Sequence, residues 1–144
     1  MASSVDGLPL MYLMRQMGKA VLVPVRAELG RLHLSPPQLA VLFAIDSNPG
    51  CSGAQLADEH FVTPQSMGAI LAALDKAGLI TRHPRPEGGR ALEVALTPAG
   101  EAALEAVRAV MARAEAELLA VLRPEEQEQL KDLLTRCLAA VQPR

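Results

Sequence analysis

The chain has 144 residues, half of them apolar and 2% aromatic, a length suited to one domain and a composition whose core must be Leu, Val, Ala and Met, which favours helices. Its 14 Lys and Arg stand against 16 Asp and Glu, a formal net charge of −2, so no overall basic excess announces a polyanion partner. No run of about 18 apolar residues marks a membrane span, MASSVDGLPL lacks the basic-then-apolar start of a secretory signal, and Cys51 and Cys137 are too few for a disulfide framework; a cytoplasmic setting is expected.

In chain order, a first helix is predicted from about Leu8 to Leu32, with Pro24 removing one backbone hydrogen bond and kinking it. Ser35-Pro36-Pro37-Gln38 reads as a capping box with proline at the first helical position, opening a helix over 36–47 that stops at Asn48-Pro49-Gly50. Ser52-Gly53-Ala54-Gln55 is a second capping box, starting a short helix that ends near Glu59. Thr63 caps the next helix, 63–77, whose Met67, Ile70, Leu71 and Leu74 follow the spacing of one buried face. Gly78 can end it in the left-handed conformation.

The period then changes from helical to alternating. Leu92, Val94 and Leu96 alternate with Ala91, Glu93 and Ala95, as in a strand with one buried face. Residues 79–83 form a plausible partner strand, and Pro84 to Arg90 a turn-rich basic tip between them. Thr97-Pro98 opens a long helix, about 98–122, broken at Arg123-Pro124, and a last helix runs from about Glu125 to Val141. The fold expected is mainly α with a small β-hairpin wing: a winged helix-turn-helix over 36–98, flanked by helical regions at 1–35 and 99–144, in one domain covering 1–144.

Short helix, tight turn, helix and hairpin is the order that major-groove reading needs. The groove is about 12 Å wide and admits one helix, while the preceding helix braces against the backbone. With its apolar face inward, helix 63–77 shows Gln65, Ser66, Ala69, Ala72, Ala73 and Lys76. Gln65 in the first turn can bond adenine at two points, Ser66 can reach either kind of base edge, and alanine can touch a thymine methyl. A capped, alanine-rich surface helix reads the same way by itself. The hairpin distinguishes the two: Arg82, His83, Arg85 and Arg90 crowd a short loop, where arginine can bond phosphates or enter a narrow minor groove. The expected DNA-contacting set is Thr63, Gln65, Ser66, Ala69, Lys76, Arg82, Arg85 and Arg90. Residues 36–79 carry only Lys76 against Asp46, Asp58, Glu59 and Asp75, which keeps open a second reading: a winged-helix protein with weak DNA binding that acts through protein contacts.

SGAQLAD at 52–58, TPQSM at 63–67, LDKAGLITR at 74–82 and GRALEVALTPAG at 89–100 resemble the MarR family of transcriptional regulators. The resemblance covers nearly the whole chain and is most specific from Gly78 to Gly100. It implies a triangular homodimer with interlocked first and last helices, bound to a roughly palindromic operator on double-stranded DNA. It implies repression relieved by a small, often aromatic, anion. Arg90 matches the wing arginine that family members place in the minor groove. The aspartate that usually stands two residues earlier is replaced here by Gly88, with Glu87 beside it.

The terminal helices point to a dimer independently. Leu8, Leu10, Met11, Leu13, Met14 and Met17, with Leu118, Leu119, Val121, Leu122, Leu130, Leu133, Leu134, Leu138 and Val141, exceed one apolar stripe per helix, and such helices need burial on several sides. A larger intrachain core is the alternative. An effector pocket is expected where the first two helices meet the long helix after the wing, with Tyr12 and Arg15 as polar groups and Met11, Met14 and Met111 as adaptable walls; core or interface packing would suit these methionines equally. Cys51 lies before the capping Ser52, where a helix start can lower a thiol pKa, and Cys137 is expected on the apolar side of the last helix. His33, His60 and His83 lack ligand spacing, and no nucleophile elbow or metalloprotease motif occurs. No metal, no cofactor and no enzymatic activity are expected.

Overall fold

The computed structural model describes residues 7–84, 88 and 91–141. Six helices and one hairpin follow in the order α1 (Leu10–Arg31), α2 (Pro36–Ser47), α3 (Gly53–Glu59), α4 (Pro64–Lys76), β1 (Ile80–Pro84), β2 (Leu92–Leu96), α5 (Pro98–Leu119) and α6 (Pro124–Val141). α1 continues through Pro24 as a single helix.

Side-chain caps set the helix starts. Ser35 and Ser52 each accept the N3 backbone N–H while Gln38 and Gln55 reach back to the cap N–H, completing both capping boxes. Thr63 and Thr97 cap α4 and α5 with proline following. α6 starts differently: the Arg123 N–H donates to Glu126 at 2.9 Å, so the carboxylate supplies the cap from inside the helix.

Three helix ends, those of α1, α3 and α4, share one device. Leu34 N–H to Leu29 O with His33 N–H to Gly30 O, Val62 to Ala57 with Phe61 to Asp58, and Leu79 to Leu74 with Gly78 to Asp75 are three Schellman closures. The residue at each left-handed position is His33 at φ 54°, Phe61 at 53° and Gly78 at 74°.

The hairpin is antiparallel, pairing Ile80 with Leu96, Thr81 with Ala95, Arg82 with Val94, His83 with Glu93 and Pro84 with Leu92. A single bridge from Ser52 to Glu93, with Val94 N–H donating to Cys51 O at 2.9 Å, ties β2 to the start of α3. The wing therefore grows out of the helix-turn-helix rather than hanging beside it.

One core unites these parts. Leu42, Leu56, Met67, Leu74, Ile80, Val94, Leu104 and Val107 are fully buried, drawn from α2, α3, α4, both strands and the first half of α5. Gly100 permits the junction of α5 with the wing: a Cβ there would stand 2.1 Å from Leu79 O. Thr97 completes it, its hydroxyl donating to Gly78 O at 2.6 Å. On the other side of α5, Arg108 reaches Asp46 at 2.6 Å and lies over the Phe43 ring, clipping α5 to α2.

The outer elements differ. No residue of α6 is buried, and α1 buries only Val25 and Leu29. Cys137, expected on the apolar side of α6, is exposed among the described residues, whereas Cys51 is buried. Gln127 holds the α5–α6 corner, donating to Leu119 O and Leu122 O, both at 3.1 Å. The Leu119 carbonyl also accepts the Leu122 N–H at 2.9 Å. No described helix is long and apolar enough to cross a membrane.

Candidate nucleic-acid interface and ligand cavities

α4 turns Met67, Leu71 and Leu74 into the core and half-buries Ile70, leaving Gln65, Ser66, Ala69, Ala72, Ala73 and Lys76 exposed along one side. The small residues keep that side low. At its start, Thr63 Oγ1 accepts the Ser66 N–H at 3.1 Å and donates to Ser66 Oγ at 2.9 Å. Ser66 is thereby held with its own hydroxyl proton directed away from the cap. Gln65 beside it makes no side-chain hydrogen bond among those described, and its amide faces solvent. Lys76 lies in the last turn, about 16 Å along the axis at 1.5 Å per residue. It can meet a groove wall but not the base step that Gln65 would meet.

In the wing, β1 alternates from buried Ile80, so Arg82 falls on the same inward side, opposite buried Val94. There its Nε lies 3.6 Å from Asp75 Oδ2 and makes no hydrogen bond. Arg82 thus links β1 to the last turn of α4, with part of its side chain still reaching solvent. The outward side carries Thr81 and His83, whose ring nitrogen lies 2.9 Å from the threonine hydroxyl. Arg85 and Arg90 lie outside the described residues, as does Glu87. Gly88 has φ 82°, a conformation that an aspartate would hold under strain.

The five residues expected to line one effector pocket do not meet. α1 and α5 run antiparallel: Met17 and Val21 share a cavity with Leu118 and Leu119, while Pro24, Ala27 and Arg31 share another with Val110 and Arg113. Met111 is therefore level with Ala27, roughly 18–24 Å along α1 from Met11, Tyr12, Met14 and Arg15 at 1.5 Å per residue. Tyr12 and Arg15 instead stack on each other, 5.3 Å from guanidinium to ring centre, and the Tyr12 hydroxyl accepts from Gln16 at 2.8 Å.

Two cavities are better formed. The first, of about 330 Å³, lies between α1 and α5 and is lined by Pro24, Ala27, Glu28, Arg31, Val110, Arg113, Ala114 and Glu117. Glu28 and Arg31 are hydrogen-bonded there, which holds the Glu28 carboxyl below its usual range and raises Arg31. The second, of about 570 Å³, lies among α1, α5 and α6; Leu118, Leu130, Leu134 and Leu138 form its apolar wall and Lys131 its cationic edge. Neither was legible in the sequence, because each depends on which residues of two helices face one another.

The order of elements, the inward and outward faces of α4 and the bridged hairpin define a winged helix-turn-helix protein. The MarR family model matches residues 34–91. The HTH-type transcriptional repressor Rv2887 of Mycobacterium tuberculosis is 35% identical over 131 residues, covering 91% of this chain and 94% of the relative. The chain belongs to the MarR family. Among solved structures, Rv2887 in complex with DNA is 33% identical, with TM-score 0.70, covering 90% of this chain and 97% of that one. Rv2887 in complex with salicylic acid is 35% identical, with TM-score 0.66 and coverages of 92% and 98%.

Proposed function

We propose that this protein is a homodimeric transcriptional repressor that binds a pseudo-palindromic operator through α4 and the wing and is released by a small aromatic anion. The observation that carries the reading is the outward face of α4. A capped helix start presents the Gln65 amide and the Ser66 hydroxyl, small residues follow, and nothing among the described residues covers them. Its likeness to Rv2887, crystallised both with DNA and with salicylic acid, supports the same reading.

Dimer formation is supported by Leu133, Leu134 and Leu138 of α6, which stay exposed among the described residues. The anion's place is the cavity between α1 and α5. Its volume falls in the range of small-molecule sites, and Arg113 supplies a guanidinium able to hold a carboxylate at two points. A ligand there acts on the packing of α1 against α5, and hence on the distance between the two groove helices. Such coupling is typically about 1–3 kcal/mol.

The test is a titration of labelled duplex across a salt series, with and without salicylate. Affinity should fall steeply with salt, because neutralised phosphates release counterions. Gln65→Ala should relax base preference while sparing most of the salt dependence. Arg113→Ala should keep DNA binding and lose the salicylate response. Weak binding with no duplex preference and little salt dependence would favour action through protein contacts, and equal affinity at saturating salicylate would remove the ligand from the reading.

A further inference from the structure

Phe61 is 97% exposed and sits at φ 53°. The left-handed region suits glycine, and a bulky aromatic residue is rarely found there. The position is the left-handed residue of the Schellman closure that ends α3, with Val62 N–H to Ala57 O at 3.0 Å and Phe61 N–H to Asp58 O at 3.2 Å. The two sister closures carry His33 and Gly78, a polar residue and a glycine, both more at ease in that conformation. Phe61 alone combines an unfavourable backbone with a large apolar side chain held in water. The folded chain gains almost nothing from its ring.

Its place explains what the ring can meet. Phe61 precedes the cap Thr63 by two residues and Gln65 by four, so at most about 14 Å of chain separates it from Gln65. The major groove is about 12 Å wide. An α4 that brings Gln65 to a base edge therefore keeps Phe61 within about a groove width of it, in reach of the groove's rim. A phenyl ring has no charge or hydrogen bond to offer a phosphate, but it matches the carbon face of deoxyribose. Val62 beside it is also exposed and extends the apolar patch.

We propose that Phe61 packs against deoxyribose at the rim of the groove and anchors the start of α4 by an uncharged contact that is indifferent to sequence. This rests on the DNA-binding reading above.

Phe61→Gly and Phe61→Asn test it, since both suit the left-handed backbone and both remove the ring. Melting should stay level or rise. Affinity should fall about three- to tenfold, the scale of roughly half-burying a phenyl side chain, on a duplex selected by the wild-type chain and equally on a scrambled one. The slope of affinity against salt should not change, because no charge is lost. Unchanged affinity in both variants overturns the contact. So does a loss confined to the selected duplex, which makes Phe61 a base reader, or a shift toward monomer, which makes it a subunit contact. A wild-type chain that binds neither duplex sinks the DNA reading itself, and this contact with it.

Discussion

From α2 to the first half of α5 the leucines of the helices point mostly inward, Leu42, Leu56, Leu74 and Leu104 being fully buried, while Leu92 on the wing is exposed. In α6, Leu133, Leu134 and Leu138 are exposed, and the helix buries nothing. Both segments are apolar, capped and helical. They differ in whether the chain itself can cover them. The winged-helix half closes its core with its own strands and helices, so its geometry is set within one molecule. The terminal half is finished only against another surface, so a change there can alter assembly without unfolding the reading head. That division suits the release proposed above, in which a ligand acts on spacing rather than on the groove helix.

The largest effect should come from the closed half. Leu104→Ala removes a fully buried side chain at the centre of the shared core and should cost about 2–5 kcal/mol, read by denaturant unfolding of the intact protein. Ser52→Ala should cost about 1 kcal/mol, because Gln55 N–H loses its buried acceptor. Leu134→Glu with Leu138→Glu sharpens the contrast. Sedimentation should show monomer in place of dimer, while circular dichroism keeps the helical signal of the winged-helix half. Unfolding of that half in the double variant would break the comparison.

The smallest effect concerns pH. A side-chain hydrogen bond from Arg123, with help from its backbone N–H, holds the Glu126 carboxyl below its usual range. A carboxylate lowered on folding stabilises the folded state above its unfolded pKa and loses that contribution as pH falls through the folded value. Glu126→Gln should therefore flatten the acid side of the stability curve slightly and leave neutral pH nearly unchanged, since both side chains reach solvent and screening weakens the pair. A stability loss at neutral pH as large as that of Ser52→Ala would show that the α5–α6 corner is not peripheral.

The helix starts were legible because their causes are local. Ser35, Ser52, Thr63 and Thr97 each act on an N–H three residues away, and the structure forms all four caps. The outward face of α4 followed from the spacing of Met67, Leu71 and Leu74. The side on which Arg82 lies is also legible, since counting by twos from apolar Ile80 puts it inward. The effector set failed for a non-local reason. Only the antiparallel packing of α1 on α5 decides that Met111 stands level with Ala27 and far from Tyr12. Gln127 and Phe61 gave no pattern at all, since one answers carbonyls at a corner and the other occupies a backbone conformation that no spacing reveals.

Selection of bound duplexes from a random pool by the unmodified protein tests the central claim most directly. Two α4 helices held by one dimer should recover a pseudo-palindrome with half-site centres about 34–36 Å apart, one helical turn. A pool that converges on no sequence, or on a single unpaired half-site, would contradict it.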